Sequence, residues 1–401
     1  MFRVTSYLRL LNGSPGKKRA NHAAAGKGPI VIWNLTRTCN LECMHCYAAS
    51  KNHDYSKELR TEQAYKVLHD LKKAGCFSLI MSGGEPLLRH DVYALAERAK
   101  ELGFLLTLSS NGTMIDEKEA EQIHSAGFDY VGISLDGIGE LHDRFRGVKG
   151  SFDRAVDGLL RCKELGMRVG VRFTLTKINI HDLPRIFEFV EENEIKKIYL
   201  SHLVYSGRGS IHENDDLTQY ETRKAMEFVI KKAKSYVEAG NPTEIVTGNN
   251  EADAVFVLLK LMAENPVNAN RLLPILQRWG GNSTGIGIAN IDPRGNVHPD
   301  PLMYDINLGN VLDAEFGKIW FENDNEKLKL LRKRPRGLKG RCGECAWINV
   351  CGGSNRTRAY RKTGDMWESD PSCYITDEEI GQVTFNEIQN VDSEPSFIFH
   401  G

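Results

Sequence analysis

The chain has 401 residues, of which 41% are hydrophobic and 26% charged, and its formal net charge is −1. That balance gives no excess charge to draw it to nucleic acid or an anionic membrane surface, and no apolar run nears the roughly 20 residues of a bilayer span. The length exceeds what one hydrophobic core usually serves, so a barrel-sized domain with a smaller companion is expected.

Residues 1–29 read as an N-terminal arm lying on the domain. It holds a short amphipathic run, Tyr7 to Leu11, then Gly13-Ser-Pro-Gly16 and the basic Lys17-Lys18-Arg19. From Ile30 a strand and helix alternation begins. Strand-like runs fall at Val31–Leu35, Phe77–Met81, Leu105–Ser109, Tyr130–Leu135, Val169–Thr174 and Lys197–Ser201. Helical patterns fall between them at Thr61–Ala74, Asp91–Leu102, Asp116–Ala126, Ser151–Leu165 and His181–Glu192. Caps such as Asp116 with Glu119, and glycines at 75, 103, 127 and 166, mark their ends. Six such units predict an α/β fold, a partial (β/α)6 barrel over 30–215, with chemistry gathered where the strands end.

After the first strand comes Cys39-Asn40-Leu41-Glu42-Cys43-Met44-His45-Cys46, three thiols spaced CxxxCxxC in a loop. Soft thiolates favour zinc or an iron–sulfur cluster. Three of them on a [4Fe–4S] cube would leave one iron open; a zinc site with a remote fourth ligand and a disulfide use remain the other readings of the spacing. Nine cysteines in all, seven of them in two clusters and with no secretory signal ahead, point to ligation in a reducing, cytoplasmic compartment. Cys76 and Cys162 stand apart and are expected to be small buried hydrophobes. The strand ends carry Ser82-Gly83-Gly84-Glu85-Pro86, Ser109-Ser110-Asn111-Gly112 and Ser134-Leu135-Asp136-Gly137. Paired glycines allow close approach to backbone, a carboxylate suits an ammonium group, and Ser with Asn suits ribose hydroxyls.

These motifs, over Ile30 to His202, resemble those of the radical S-adenosylmethionine enzymes. The resemblance implies that Cys39, Cys43 and Cys46 hold a [4Fe–4S] cluster whose open iron takes the methionine moiety of S-adenosyl-L-methionine. It places Gly83, Gly84 and Glu85 at the amino group, Ser110, Asn111, Ser134 and Asp136 near the ribose, and Arg146 near the carboxylate. An aromatic residue usually precedes the third cysteine, and here His45 does.

Further on, Leu217–Ala239 and Glu251–Asn265 read as two longer helices of a linker over 216–280. Gly285–Asp292 and Asn296–Pro299 read as a hairpin, and Asp313–Arg332 as a helix. The basic run Arg332 to Arg341 reads as a solvated face. Cys342, Cys345, Cys351 and Cys373 supply four thiols, enough for zinc or a [4Fe–4S] cluster from spacing alone. The segment 281–376 resembles the auxiliary-cluster domain called SPASM, which in its full form has seven cysteines. Asn355 stands where another cysteine would, so one auxiliary [4Fe–4S] cluster is implied, and 377–401 forms a tail.

The stretches 29–39, 171–176 and 199–208 resemble the radical S-adenosylmethionine enzymes of d1-type heme biosynthesis, from Met1 through Cys373. That implies a tetrapyrrole substrate, 12,18-didecarboxysiroheme, which loses propionate side chains, and an electron donor such as flavodoxin or ferredoxin. A flat molecule with several carboxylates calls for arginines and aromatics. Arg172 and Thr174 share one side of their strand and are expected in the lumen. His202, Tyr205 and Arg208 follow the last strand; with Arg172, His202 and Tyr205 are the candidate substrate residues, His202 as proton donor, iron ligand or plain structural histidine. The alternatives are removal of acetate from the same tetrapyrrole, a peptide-modifying enzyme, and a zinc protein without catalysis.

Overall fold

A computed structural model describes residues 1–13 and 28–381. The Ser14–Arg19 part of the expected arm and most of the expected tail lie outside them. The strands are β1 (Phe2–Arg3), β2 (Ile30–Asn34), β3 (Ser78–Ser82), β4 (Leu105–Ser110), β5 (Tyr130–Ser134), β6 (Val169–Leu175), β7 (Lys197–His202), β8 (Glu244–Gly248), β9 (Ile288–Ile291), β10 (Asn296–His298) and β11 (Gly309–Asn310). They form one sheet in the order β1-β8-β7-β6-β5-β4-β3-β2-β9-β10-β11. From β8 to β9 every pairing is parallel, and antiparallel strands close both ends.

The helices before β8 are α1 (Val4–Leu11), α2 (Thr61–Lys73), α3 (Val92–Glu101), α4 (Glu117–Ser125), α5 (Glu140–Arg146), α6 (Ser151–Glu164), α7 (Leu183–Glu192) and α8 (Gln219–Glu238). Those after it are α9 (Ala252–Glu264), α10 (Pro266–Trp279), α11 (Phe316–Phe321), α12 (Glu326–Arg332), α13 (Gly340–Glu344), α14 (Ile348–Cys351), α15 (Arg356–Thr363) and α16 (Asp377–Ile380). Asp116 caps α4 by accepting from the Glu119 N–H. Gly75, Gly103, Gly127 and Gly166 follow their helices at φ between +76° and +78°, a conformation that favours glycine.

Alternation decides which strand face meets the helices. Leu79, Met81, Leu106, Leu108, Val131, Ile133, Val171, Phe173, Ile198 and Leu200 are all fully buried against the helical layer with Cys76 and Cys162. Thr107, Ser109, Ser134, Arg172, Thr174, Tyr199 and Ser201 occupy the alternate positions and line the concave face. The barrel wall from β4 to β7 is therefore lined mainly with polar side chains, while Ile32 and Ile80 take the same positions on β2 and β3.

Several expectations needed correction. The arm is a structural edge: β1 pairs with β8, the Ile245 N–H donates to Thr5 Oγ1, and Arg3 pairs with Glu244. β8 lies between the two helices expected of the linker and joins that segment to the barrel sheet. The helix 313–332 is two helices, parted where the Asn323 side chain turns back to the Leu308 and Ile319 carbonyls and Asn325 caps α12. The basic run is solvated only in part: Lys333, Arg334 and Lys339 are exposed, but Arg332 donates to Gly285 O and Trp320 O, and Arg336, 3% exposed, to Leu331, Gly352 and Thr284 carbonyls. The hairpin β9–β10 continues the barrel sheet through β2, whose end carries the first cysteines.

Candidate active site

The cysteine loop leaves β2 and is held from three directions. Against β3, the Gly84 N–H donates to Thr36 O at 2.8 Å and the Glu85 N–H to Thr38 O at 2.9 Å. A Cβ on Gly83 or Gly84 would run into those same carbonyls of Thr36 and Thr38. The paired glycines thus admit the base of the cysteine loop itself. From the end of α5, Phe145 O and Arg146 O accept from Met44 and Glu42 N–H, and a Cβ on Gly147 would stand 3.0 Å from Glu42 O. Beyond β7, Gly207 at φ +57° lies against the Cys46 and Tyr47 carbonyls. The Arg208 side chain there donates to Cys43 O and Ser50 O, both at 2.7 Å. Phe145, Gly147 and Gly207 escaped sequence reading because their roles rest on backbone contact across distant segments; Arg208 carried only its type.

Three thiols share this loop: Cys39 and Cys43 are buried with Leu41, and Cys46 packs beside them. Burial pushes the Cys39 thiol up to about 12, and a metal must displace that proton to bind. Donors surround the sulfurs: the Leu41 N–H reaches Cys39 Sγ and the Ser50 N–H Cys46 Sγ, each at 3.4 Å. The Arg146 guanidinium reaches Cys43 Sγ at 3.4 Å. Hydrogen bonds to ligand sulfurs are a lever on cluster potential, so an all-thiol set with these donors fits an iron–sulfur cluster. Among the described residues no three His, Cys, Asp or Glu side chains converge on a point that would hold a single metal ion.

Around the loop lie the strand-end residues. Glu85 is fully buried; its carboxylate accepts from Leu87 N–H, Ser110 Oγ and Asn111 N–H at 2.8 to 3.2 Å. Burial raises its pKa to about 7 against those bonds. Asn111 turns its amide to Asn40 Oδ1 and, at 3.9 Å, to Cys39 Sγ. Glu85 therefore organises the ends of β3 and β4. Asp136 and Arg146 form a buried ion pair. Burial alone would raise Asp136, but Arg146, His45 and the Thr174 N–H hold its carboxyl below the usual range. Arg146 thus spends its charge on Asp136 and Cys43. The His45 ring, which burial keeps neutral with a pKa of about 4, lies 4.7 Å from that of Phe145.

Ser134 and Arg172 face the lumen side by side in register. His202 and Tyr205 do not join them. His202 shares the outer face with Ile198 and Leu200, and its Nε2 lies 3.1 Å from Asp253 Oδ2 on α9; Tyr374 donates to the other carboxylate oxygen at 2.7 Å. The Tyr205 hydroxyl donates to Asp216 at 2.8 Å. His202 is thus a structural link to the C-terminal segment, because an odd step along a strand reverses the face, and Tyr205, beyond the strand, reaches that segment at Ser372 Oγ, 3.3 Å away. Sequence reading missed Tyr199 and Ser109, which share the lumen with Arg172 and were legible as polar residues at period two.

The second thiol set lies at the far end of the chain. Cys342, Cys345, Cys351 and Cys373 are half-buried, and each of the other three thiols is close enough to disfavour the Cys351 thiolate, second to burial itself. Cys351 O is pressed against Gly281, whose Cβ would overlap it, and accepts from the Asn282 N–H at 3.1 Å. Asn355 caps α15 through the Arg358 N–H. Four thiols in one segment again fit an iron–sulfur cluster.

A thiol-bearing loop at the strand C-termini of a polar partial barrel defines a class, and the chain belongs to the Radical SAM superfamily, whose model matches residues 33–190. It is 46% identical over 387 residues to the pre-heme d1 synthase of Dinoroseobacter shibae, covering 96% of this chain and 95% of that protein. It is 41% identical over 375 residues to the Fe-coproporphyrin III synthase of Methanosarcina barkeri, covering 92% and 94%. Among solved structures, anSMEcpe with bound AdoMet shares the fold at a TM-score of 0.66 and 21% identity, over 86% of this chain and 94% of that one. Streptococcus suis SuiB bound to S-adenosylmethionine does so at 0.66 and 16%, over 86% and 77%. The chain is thus a radical S-adenosylmethionine enzyme. Among the described residues no helix is long and apolar enough to cross a membrane.

Proposed function

We propose that this enzyme acts in heme d1 biosynthesis and removes propionate side chains from 12,18-didecarboxysiroheme. The likeness to a pre-heme d1 synthase across nearly the whole of both chains carries this reading, and a polar lumen with an arginine and a tyrosine suits a carboxylated flat ring. Cys39, Cys43 and Cys46 would hold one [4Fe–4S] cluster and Cys342, Cys345, Cys351 and Cys373 an auxiliary one. When bound, the first cluster supplies the electron that cleaves S-adenosyl-L-methionine into methionine and a 5′-deoxyadenosyl radical able to take hydrogen from the substrate. The protein's own share is positional. The Gly83–Gly84 backbone would face the amino group, Ser110, Asn111 and Ser134 the ribose, and the Asp136–Arg146 pair would fix the cysteine loop. Residues 30–215 would form the catalytic core, 216–280 a linker and 281–376 the auxiliary domain, with a flavodoxin or ferredoxin as cytoplasmic reductant.

Acetate removal from the same tetrapyrrole is the second reading, favoured by the likeness to an Fe-coproporphyrin III synthase. The reconstituted enzyme, incubated without oxygen with 12,18-didecarboxysiroheme, cofactor and reductant, decides by product mass. Propionate loss supports the first reading and acetate loss the second; no change in the tetrapyrrole removes both.

A further inference from the structure

Arg172 carries a permanent charge into the lumen. Arg172 is half-buried; of the buried arginines, Arg89 holds Asp91, Arg146 holds Asp136 and Arg358 holds Asp370, while Arg336 and Arg356 spend their donors on backbone carbonyls. Below Arg172, Glu244 is engaged by Arg3 and Lys197. Among the described residues no Asp or Glu pairs with Arg172. Its one hydrogen bond among the described residues goes to a neutral hydroxyl, Ser109 Oγ, which leaves most of the five guanidinium donors for something else.

The space around it is built. Gly132 on β5 lies under the side chain, where a Cβ would stand 3.1 Å from Arg172 Cδ. The guanidinium carbon sits 5.5 Å from the centre of the Tyr199 ring. Tyr199 fits because Gly248 faces it; a Cβ there would run into the hydroxyl. Two glycines on separate strands thus clear room for an arginine and a tyrosine set together. Their level matters too. Arg172 is paired in register with Ser134 on one side and Tyr199 on the other, and two residues on the Thr174 N–H donates to Asp136, which pairs with the Arg146 that reaches Cys43 Sγ. The free donors therefore lie in the lumen beside the cysteine loop.

We propose that Arg172, held by Ser109 and Tyr199, is a carboxylate receptor that fixes the ligand's orientation in the lumen. A planar fork of N–H donors matches a carboxylate with two parallel bonds, which a lysine cannot reproduce. Resting on the tetrapyrrole reading above, the receptor takes a carboxylate side chain of the substrate; the methionine carboxylate of S-adenosylmethionine is the other source of the same chemistry.

The test titrates anaerobic holoenzyme, wild type, Arg172→Gln and Arg172→Lys, with 12,18-didecarboxysiroheme followed by its visible absorbance and, separately, with S-adenosylmethionine by equilibrium dialysis. Arg172→Gln should weaken tetrapyrrole binding by about tenfold or more, with partial recovery in Arg172→Lys. The methyl-esterified tetrapyrrole, tested on unaltered enzyme, should bind as poorly as the free acid binds Arg172→Gln. A loss confined to S-adenosylmethionine keeps the receptor and assigns it the methionine carboxylate. If unaltered enzyme binds S-adenosylmethionine but no tetrapyrrole, the functional reading fails and the dialysis alone decides Arg172. Arg172→Gln binding both ligands within about twofold of wild type, with the ester bound as well as the acid, overturns the proposal.

Discussion

Gly84 has no room for a side chain, because the Thr38 carbonyl occupies the place of its Cβ. Gly84→Ala should therefore push the cysteine loop off β3 and cost the first cluster. Reconstituted iron should fall by about four per chain while the second site stays loaded. At Glu85 the expected effect is on pH. Its carboxyl has a pKa of about 7 in the folded protein against an ordinary value of 4.5, raised by burial. The associated stability is fully present below about pH 4.5 and is lost as pH rises through 7, on the order of 3 kcal/mol. Urea unfolding of wild type should show that decline between pH 4.5 and 7, and Glu85→Gln should flatten it. Residue types at these positions were legible in the sequence, but their directions were not. The Gly-Gly-Glu motif announced a site, yet only the fold shows that the glycines admit backbone and that the glutamate binds its neighbours. His202 and Ser201 are adjacent and equally polar; strand parity sends one outward to Asp253 and leaves the other on the lumen face.

Among elements, α15 ties the C-terminal segment to the barrel. Arg358 is fully buried, forms two hydrogen bonds with Asp370 at 2.7 and 2.8 Å, and donates to Leu203 O just after β7 at 2.9 Å. Removing one charge of a buried pair leaves the other unpaired, so Asp370→Asn should lower unfolding free energy by about 3 to 5 kcal/mol. Chemical denaturation of the two proteins checks this, and the double change Arg358→Met with Asp370→Leu should recover much of the loss. Strands β2 to β7 were readable to within a residue or two because alternation, capping residues and closing glycines agreed with one another. What escaped was short or paired at long range: β1 and β8 stabilise each other across most of the chain, and neither has a periodic signal of its own. The buried arginines of the basic run were unreadable for a related reason, since their partners are carbonyls and composition says nothing about those.

At the scale of the molecule, two thiol sets are joined through one sheet, from β2 with the first cysteines across to β9 and the segment that bears the others. Anaerobic reconstitution should yield about eight irons per chain, and Cys351→Ala should lower that to about four without removing the first cluster; iron assay with electron paramagnetic resonance checks both. The three-way hold on the cysteine loop also sets a timetable for making the enzyme. Residues 39–46 leave the ribosome early, but α5 follows much later and Gly207 with Arg208 later still. Iron delivered to the nascent chain would meet a slack loop with no fixed arrangement of sulfurs. Maturation of the first centre must therefore wait until the barrel has closed, and the machinery that loads it must reach in through the open mouth of a finished fold.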